Sequence, residues 1–337
     1  MVQKGEKRVA LALSSGGPRG FAYIGALEVL QERGYEVSAI AGTSIGALVG
    51  GVYAAGRLKE FKEWLLTLDT WSVFKLMDFS LSISHVVKGE KIIEAIREVV
   101  PSVNIEELPM PFSAIATNLS TGEEVVFDKG DLFFAIRASM SIPSLFKTVD
   151  YGNCVLIDGH SSNCLPLNRV KRTEGDILVG FDTNYFDAEG ISYILEDIEQ
   201  KQADYEELRL AKEAEVDAVV ASIRADEESS IWSKLKTYHS ARAKARREVQ
   251  AFRKEHIDTL PDTEWDTHYL EIIDRTFSIM NQHNTRLMVE LCKPDIVVRM
   301  SFDSYGDISD YALAEEIIAK GRELMTKALD DYESKQE

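Results

Sequence analysis

Cysteine is nearly absent from this sequence: Cys154, Cys164 and Cys292 are all there are. Their spacing offers no paired metal-ligand motif and no disulfide framework. No metal and no stapled secreted domain is expected, and a reducing compartment is the natural setting. Net positive charge is lacking too. Against 38 Lys and Arg stand 56 Asp and Glu, for a formal charge of −18, so no overall field would draw the chain to nucleic acid. A signal peptide is not expected, because the apolar run Val9 to Leu13 is short and leads into glycines. One long uncharged stretch exists, Val37 to Gly56, about the length of a membrane span. Gly42, Gly46 and Gly50 within it repeat at helix-pairing spacing. Its five glycines, with Ser38, Thr43 and Ser44, nevertheless suit a buried strand and helix better than a span. The expectation is a cytoplasmic protein, with peripheral contact at the inner membrane face as the alternative setting.

What is present is enough to fold. With 337 residues, 45% of them hydrophobic, the chain can bury one large core or two smaller ones. The first half alternates strand and helix signals, which predicts parallel β units covered by helices. "RVALALSS" reads as a strand, "PRGFAYIGALEVLQERG" as a helix stopped at Gly34, "VSAIAG" as a strand and "SIGALVGGVYAAG" as a helix. Further strands are expected at "PFSAIATNL", "EEVVFD", "CVLIDG", "DILVGFDT" and "PDIVVRMS", and an amphipathic helix at "YALAEEIIAKGRELMTKAL".

Residues near 190 to 290 differ in kind, with almost no glycine and apolar residues at helical spacing. From Asp187 to Glu228 there are 14 acidic and four basic residues; from Trp232 to Glu255, eight basic and two acidic. Trp232, Leu235, Tyr238, Ala241, Ala245, Val249 and Phe252 form one stripe on the second arm. The complementary charges favour a helical hairpin or an arm for a homo-oligomer; a foot on an anionic membrane is the competing reading. The division expected is a core of 1–186, a charged helical insert of 187–286, and a strand and helix at 287–337 that complete the core.

The chemistry concentrates in two turns. Gly42-Thr43-Ser44-Ile45-Gly46 is G-x-S-x-G between a predicted strand and a predicted helix, the setting of a nucleophile elbow. Gly42 and Gly46 leave room beside the serine, and the helix N-terminus favours developing negative charge. Ser14 to Gly20, "SSGGPRG", also follows a strand and opens a helix, so consecutive N–H groups there can cradle an anion. Beside a serine nucleophile that cradle is an oxyanion hole; alone it could equally hold a phosphate. It is not G-x-G-x-x-G, so no dinucleotide cofactor is expected. The histidines offer no clear base. His239, His256, His268 and His283 fall in the charged region, and His85 sits in an uninformative loop. Asp158 ends an apolar strand at a glycine turn, where a carboxylate is a turn former or, given a nucleophile, a base.

Gly16-Gly17-Pro18-Arg19-Gly20, Gly42 to Gly46 and Asp158-Gly159, with Arg137 to Pro143 between them, together resemble the bacterial patatin-like phospholipases. These are serine acyl hydrolases that use a Ser-Asp dyad. The resemblance covers about residues 8 to 183 and, more faintly, 287 to 330. It implies a three-layer α/β fold, a central mainly parallel sheet flanked by helices, carrying the charged helical subdomain as an insert. It also implies Ser44 as nucleophile, Asp158 as general base, and Gly16, Gly17 and Arg19 at the oxyanion hole, with Arg19 holding the loop or neutralising charge. The implied substrate is a lipid or other acyl ester, without a cofactor. Two departures stand out. Ser15 replaces a usual glycine, and His160 replaces a small residue; Pro18 in addition has no N–H to give. Acyl transfer from a thioester, and a catalytically silent scaffold acting through the insert, are the alternatives.

Overall fold

The computed structural model describes residues 7–76, 85–87, 89–186, 188–226, 229–257, 269–306 and 308–336. They form two units, residues 1–186 with 269–337 and residues 187–268. In chain order the first unit runs β1 (Lys7–Leu13), α1 (Ala22–Glu32), β2 (Tyr35–Thr43), α2 (Ile45–Ala54), α3 (Leu58–Leu65), α4 (Thr70–Leu76), β3 (His85–Val87) and α5 (Glu90–Val99). It continues through β4 (Phe112–Asn118), β5 (Glu124–Phe127), α6 (Leu132–Ser139), β6 (Ser144–Phe146), β7 (Val149–Tyr151), β8 (Cys154–Asp158) and β9 (Ile177–Tyr185). The second unit holds α7 (Ala188–Ala225) and α8 (Ile231–Phe252); the first resumes with α9 (Tyr269–Cys292), β10 (Ile296–Ser301) and α10 (Ala314–Ser334).

The main sheet has the order β10-β9-β1-β2-β4-β8-β7, with β5 beside β4 off that path. Neighbours from β10 to β4 are parallel, while β5, β7 and β8 add antiparallel. The sequence of β1 explains its central place. It is apolar on both faces, as a strand covered on both sides must be. Val9, Leu11 and Leu13 point into the large core with α1 and α2. Ala10 and Ala12 point the other way, onto Leu165, Leu167 and Leu178, with Met288 and Val289 of α9 packed against them. Each fully buried Val or Leu there contributes about 1.5–3 kcal/mol. The result is the layered α/β arrangement expected from the alternating signals.

β2 and β4 lie to one side of β1, β9 and β10 to the other. Winding therefore reverses beside β1, and such a switch point leaves a crevice at the carboxyl ends of the strands. The uncharged stretch from Val37 is divided between β2 and α2, and among the described residues no helix is long and apolar enough to cross a membrane.

Several elements differ from expectation. The first turn after β1 is a 3-10 helix, Gly17–Phe21, with Pro18 near its start, and α1 begins only at Ala22; proline lacks the N–H that a first turn leaves unused. His85 lies on a short strand, β3, paired with β6. Segment 269–286, read as part of the insert, is in α9 and clusters with the first unit; His268 lies outside the described residues. Within the second unit α7 and α8 pack together, joined by Lys212 Nζ to Glu248 Oε2 at 2.8 Å. The stripe on α8 is half-buried at Tyr238, Ala245 and Phe252. At its beginning it is bare: Trp232 is 81% and Leu235 44% exposed.

Candidate active site

The crevice holds Ser44 and Asp158. Ser44 follows β2 directly and caps α2, and its backbone sits at φ 56°, ψ −121°. A positive φ on a non-glycine residue is strained and persists only where its surroundings enforce it. Those surroundings are visible. A Cβ on Gly42 would run into the backbone of Gly46, and one on Gly46 into the carbonyl of Leu13, so β2, α2 and β1 approach more closely than any side chain allows. The Ser44 N–H donates to Ser139 Oγ at 2.8 Å, and Ser139 Oγ donates to the Ile115 carbonyl at 2.5 Å. Ser139, at the end of α6, thus clamps the turn to β4. Ser139→Ala is expected to cost about 1–3 kcal/mol, because it leaves the buried Ser44 N–H without an acceptor; urea unfolding reads this directly.

Asp158 ends β8 and is 2% exposed. Ser44 Oγ donates to its Oδ2 at 2.6 Å, and the His160 N–H donates to its Oδ1 at 2.7 Å. Burial pushes the carboxyl up to about 6; the positive field of His160 and the hydrogen bonds from Ser44 and the His160 backbone only partly oppose this. The side chain is therefore a carboxylate at neutral pH, with far more proton affinity than an exposed aspartate.

The loop after β1 faces this pair. Residues Ser15 to Arg19 line the same cleft of about 260 Å³ as Ser44, Asp158 and His160. β9 pins the loop: Thr183 Oγ1 donates to the Ser15 carbonyl at 2.8 Å and Asn184 Nδ2 to the same oxygen at 2.6 Å. Gly17 takes φ +54°, and among the described residues no acceptor engages the Gly16 or Gly17 N–H. Arg19 is turned elsewhere. Its Nη1 donates to the carbonyls of Phe302 (2.7 Å) and Ser304 (3.2 Å), and the guanidinium lies over the Phe302 ring at 4.8 Å. These contacts tie the loop after β1 to the segment that follows β10.

The two departures, Ser15 and His160, meet: Ser15 Oγ hydrogen-bonds His160 Nδ1. His160 is half-buried on the cleft wall. Sequence reasoning missed Ser139, Thr183, Asn184 and Tyr311, which also lines the cleft. Ser139 lay within the Arg137–Pro143 block; no motif marked the other three.

Comparison with known proteins gives this site a context. Residues 11–168 match the family model described as Patatin-like phospholipase. An uncharacterized NTE family protein of Mycobacterium tuberculosis is 44% identical over 177 residues, 52% of this chain and 49% of that protein. Lysophospholipase NTE1 of Scheffersomyces stipitis is 30% identical over 188 residues, 53% of this chain and 12% of its own length. The chain thus spans about half the length of the mycobacterial relative and much less of the other. The crystal structure of VipD from Legionella pneumophila aligns with a TM-score of 0.33 and 16% identity over 62% of this chain and 56% of that one, too distant to carry an argument.

Proposed function

On the premise that the chain carries a patatin-like phospholipase domain at residues 11–168, we propose that it hydrolyses carboxylic esters of (lyso)phospholipids or related acyl lipids. Ser44 is the nucleophile and Asp158 the general base. The single observation that carries this is the 2.6 Å hydrogen bond from Ser44 Oγ to a buried carboxylate, at a strained turn that opens a helix. In the forward step Asp158 takes the hydroxyl proton as Oγ forms its bond to the ester carbonyl carbon. The carbonyl oxygen becomes an oxyanion, which the Gly16 and Gly17 N–H groups receive and the N-terminus of α2 stabilises. Collapse breaks the ester bond, the Asp158 proton goes to the leaving alkoxide, and water repeats the sequence on the acyl-serine. A base whose proton affinity is raised toward the working pH accepts the serine proton more readily.

Water is the expected acyl acceptor, and a scaffold role has less support, because nothing about the Ser44–Asp158 pair is disarmed. The test is twofold: turnover of a p-nitrophenyl ester, and stoichiometric labelling of Ser44 by a fluorophosphonate located by peptide mass. Label on Ser44 with release of free acid supports the reading. Failure of both on folded protein would return the scaffold reading, and acyl delivery to an added alcohol in preference to water the acyltransferase.

A further inference from the structure

Helix α9 turns a polar side inward and an apolar side outward. The face against the first unit carries Ser278, Asn281 and Thr285, none more than 6% exposed, before it turns apolar at Met288 and Cys292. About a third of a turn round the helix, Phe277 (58%), Met280 (57%), Leu287 (63%) and Leu291 (74%) stand exposed to water. Apolar burial drives folding, so a lone copy gains nothing by this arrangement. A contiguous outward stripe of this kind marks a contact surface.

The spacing says what kind of contact it is. With the exposed Asn284, the stripe steps three, four, three and four residues from Phe277 to Leu291. The sequence carries the same alternation back through Ile273 and Leu270, about three heptads in all. Such a seam belongs to a helix that pairs with another helix along its length. A lipid surface requires apolar bulk on one side, but neither this alternation nor an amide in the middle of it. One polar residue on a seam costs stability and fixes partner number and register.

The partner that fits is a second copy. A two-fold interface uses the same patch on both chains and must be self-complementary. Here apolar residues flank Asn284 on both sides, and its amide is donor and acceptor at once. His283 and Glu290 are exposed along the outer margin of the stripe, where an antiparallel copy brings each His283 toward Glu290 of the other. The area agrees. The four apolar side chains leave about 400–500 Å² in water. Two such faces with their rims cover about 1,000 Å², the lower bound of a specific interface and the range of micromolar dimers.

We propose that the Phe277–Leu291 face of α9 is the surface by which two copies of this chain pair. The proposal goes beyond the hydrolase reading and does not depend on it. It moves the oligomer contact expected of the charged arms to the helix that follows them.

The experiment is sedimentation velocity of the full chain. Between about 1 and 100 µM the wild type should pass from the mass of one chain to twice that mass. Met280→Glu and, separately, Leu287→Glu should each raise the dimer Kd by at least about thirtyfold, because a two-fold interface receives the carboxylate twice. Both positions are exposed, so circular dichroism and the Tm of dilute protein should stay as in wild type. Trp232→Glu, at the bare start of α8, should leave Kd within about twofold. A wild type that stays monomeric throughout overturns the proposal, and so does a dimer that neither glutamate variant weakens. A dimer lost with Trp232→Glu and kept with Leu287→Glu gives the contact to the insert instead. A monomer that sediments with phosphatidylcholine vesicles, and no longer does so as Leu287→Glu, gives the face to lipid.

Discussion

Ser44→Ala is expected to lower kcat for a p-nitrophenyl ester by about 10⁴–10⁶-fold, because it removes the oxygen proposed to form the acyl-enzyme. The fold should survive. The main-chain clamp is retained, since the residue 44 N–H still reaches Ser139 Oγ. What disappears is one donor to Asp158, worth about 1.5–3 kcal/mol while the carboxylate is charged and less once it takes a proton. Ser44→Gly makes the sharper comparison. The φ of 56° at this position strains alanine as it strains serine but costs glycine little. Ser44→Gly should therefore be as inactive as Ser44→Ala and more stable by about 1 kcal/mol, as read by urea unfolding. Retention of more than about a tenth of wild-type turnover in either folded variant would remove Ser44 from the mechanism.

Asp158→Asn should separate catalysis from stability in opposite directions. Without a base to take the hydroxyl proton, turnover should fall by about 10²–10⁴-fold. Stability should rise at neutral pH. Burial pushes the folded carboxyl up to about 6, against its ordinary 3.8, so between these values the native state binds the proton more tightly than the unfolded chain. The stabilising contribution of the neutral form is complete below the unfolded value and lost as pH rises through the folded one. Two units correspond to about 3 kcal/mol, the most that an uncharged replacement could recover. Asparagine fits the same contacts: its carbonyl can accept from the His160 N–H, and its amide can donate to Ser44 Oγ. The variant is expected to be more stable than wild type at pH 8 and to lose that advantage toward pH 4. Wild-type kcat/KM should have an acid limb at about pH 6. Equal stabilities at pH 8 and pH 4 would mean that Asp158 is not held in the desolvated state described above.

The site was legible where geometry restricts residue type. A turn too tight for any Cβ must be written with glycines, so Gly42 and Gly46 betray it in one dimension. A carboxylate closing an apolar strand is equally conspicuous. The supports were not legible, because their residue types are ordinary. Ser139 is one serine among many until α6 brings it under Ser44, and Thr183 and Asn184 end a strand whose motif value is nil. Ser15 and His160 each register as an oddity, but their contact spans 145 residues of sequence. Helix α9 shows the limit of hydrophobic pattern. Its buried face carries Ser278, Asn281 and Thr285, while Phe277, Leu287 and Leu291 are exposed. Read by apolar periodicity, it merges with the charged insert; in the structure it belongs to the unit that holds the site.

The order in which the walls of the cleft appear along the chain has a consequence for biosynthesis. Ser44 and Asp158 emerge early, but Arg19 finds its acceptors only at Phe302 and Ser304, and Tyr311 follows later still. At about 5–20 residues per second, roughly eight to thirty seconds of translation separate Asp158 from Tyr311. During that interval β1 lacks its neighbour β9 and then β9 lacks β10, leaving apolar edges that invite pairing with other chains. A nascent chain at this stage carries Ser44 and Asp158 in an incomplete vessel, and its fate rests with whatever shields those strands until the last wall arrives.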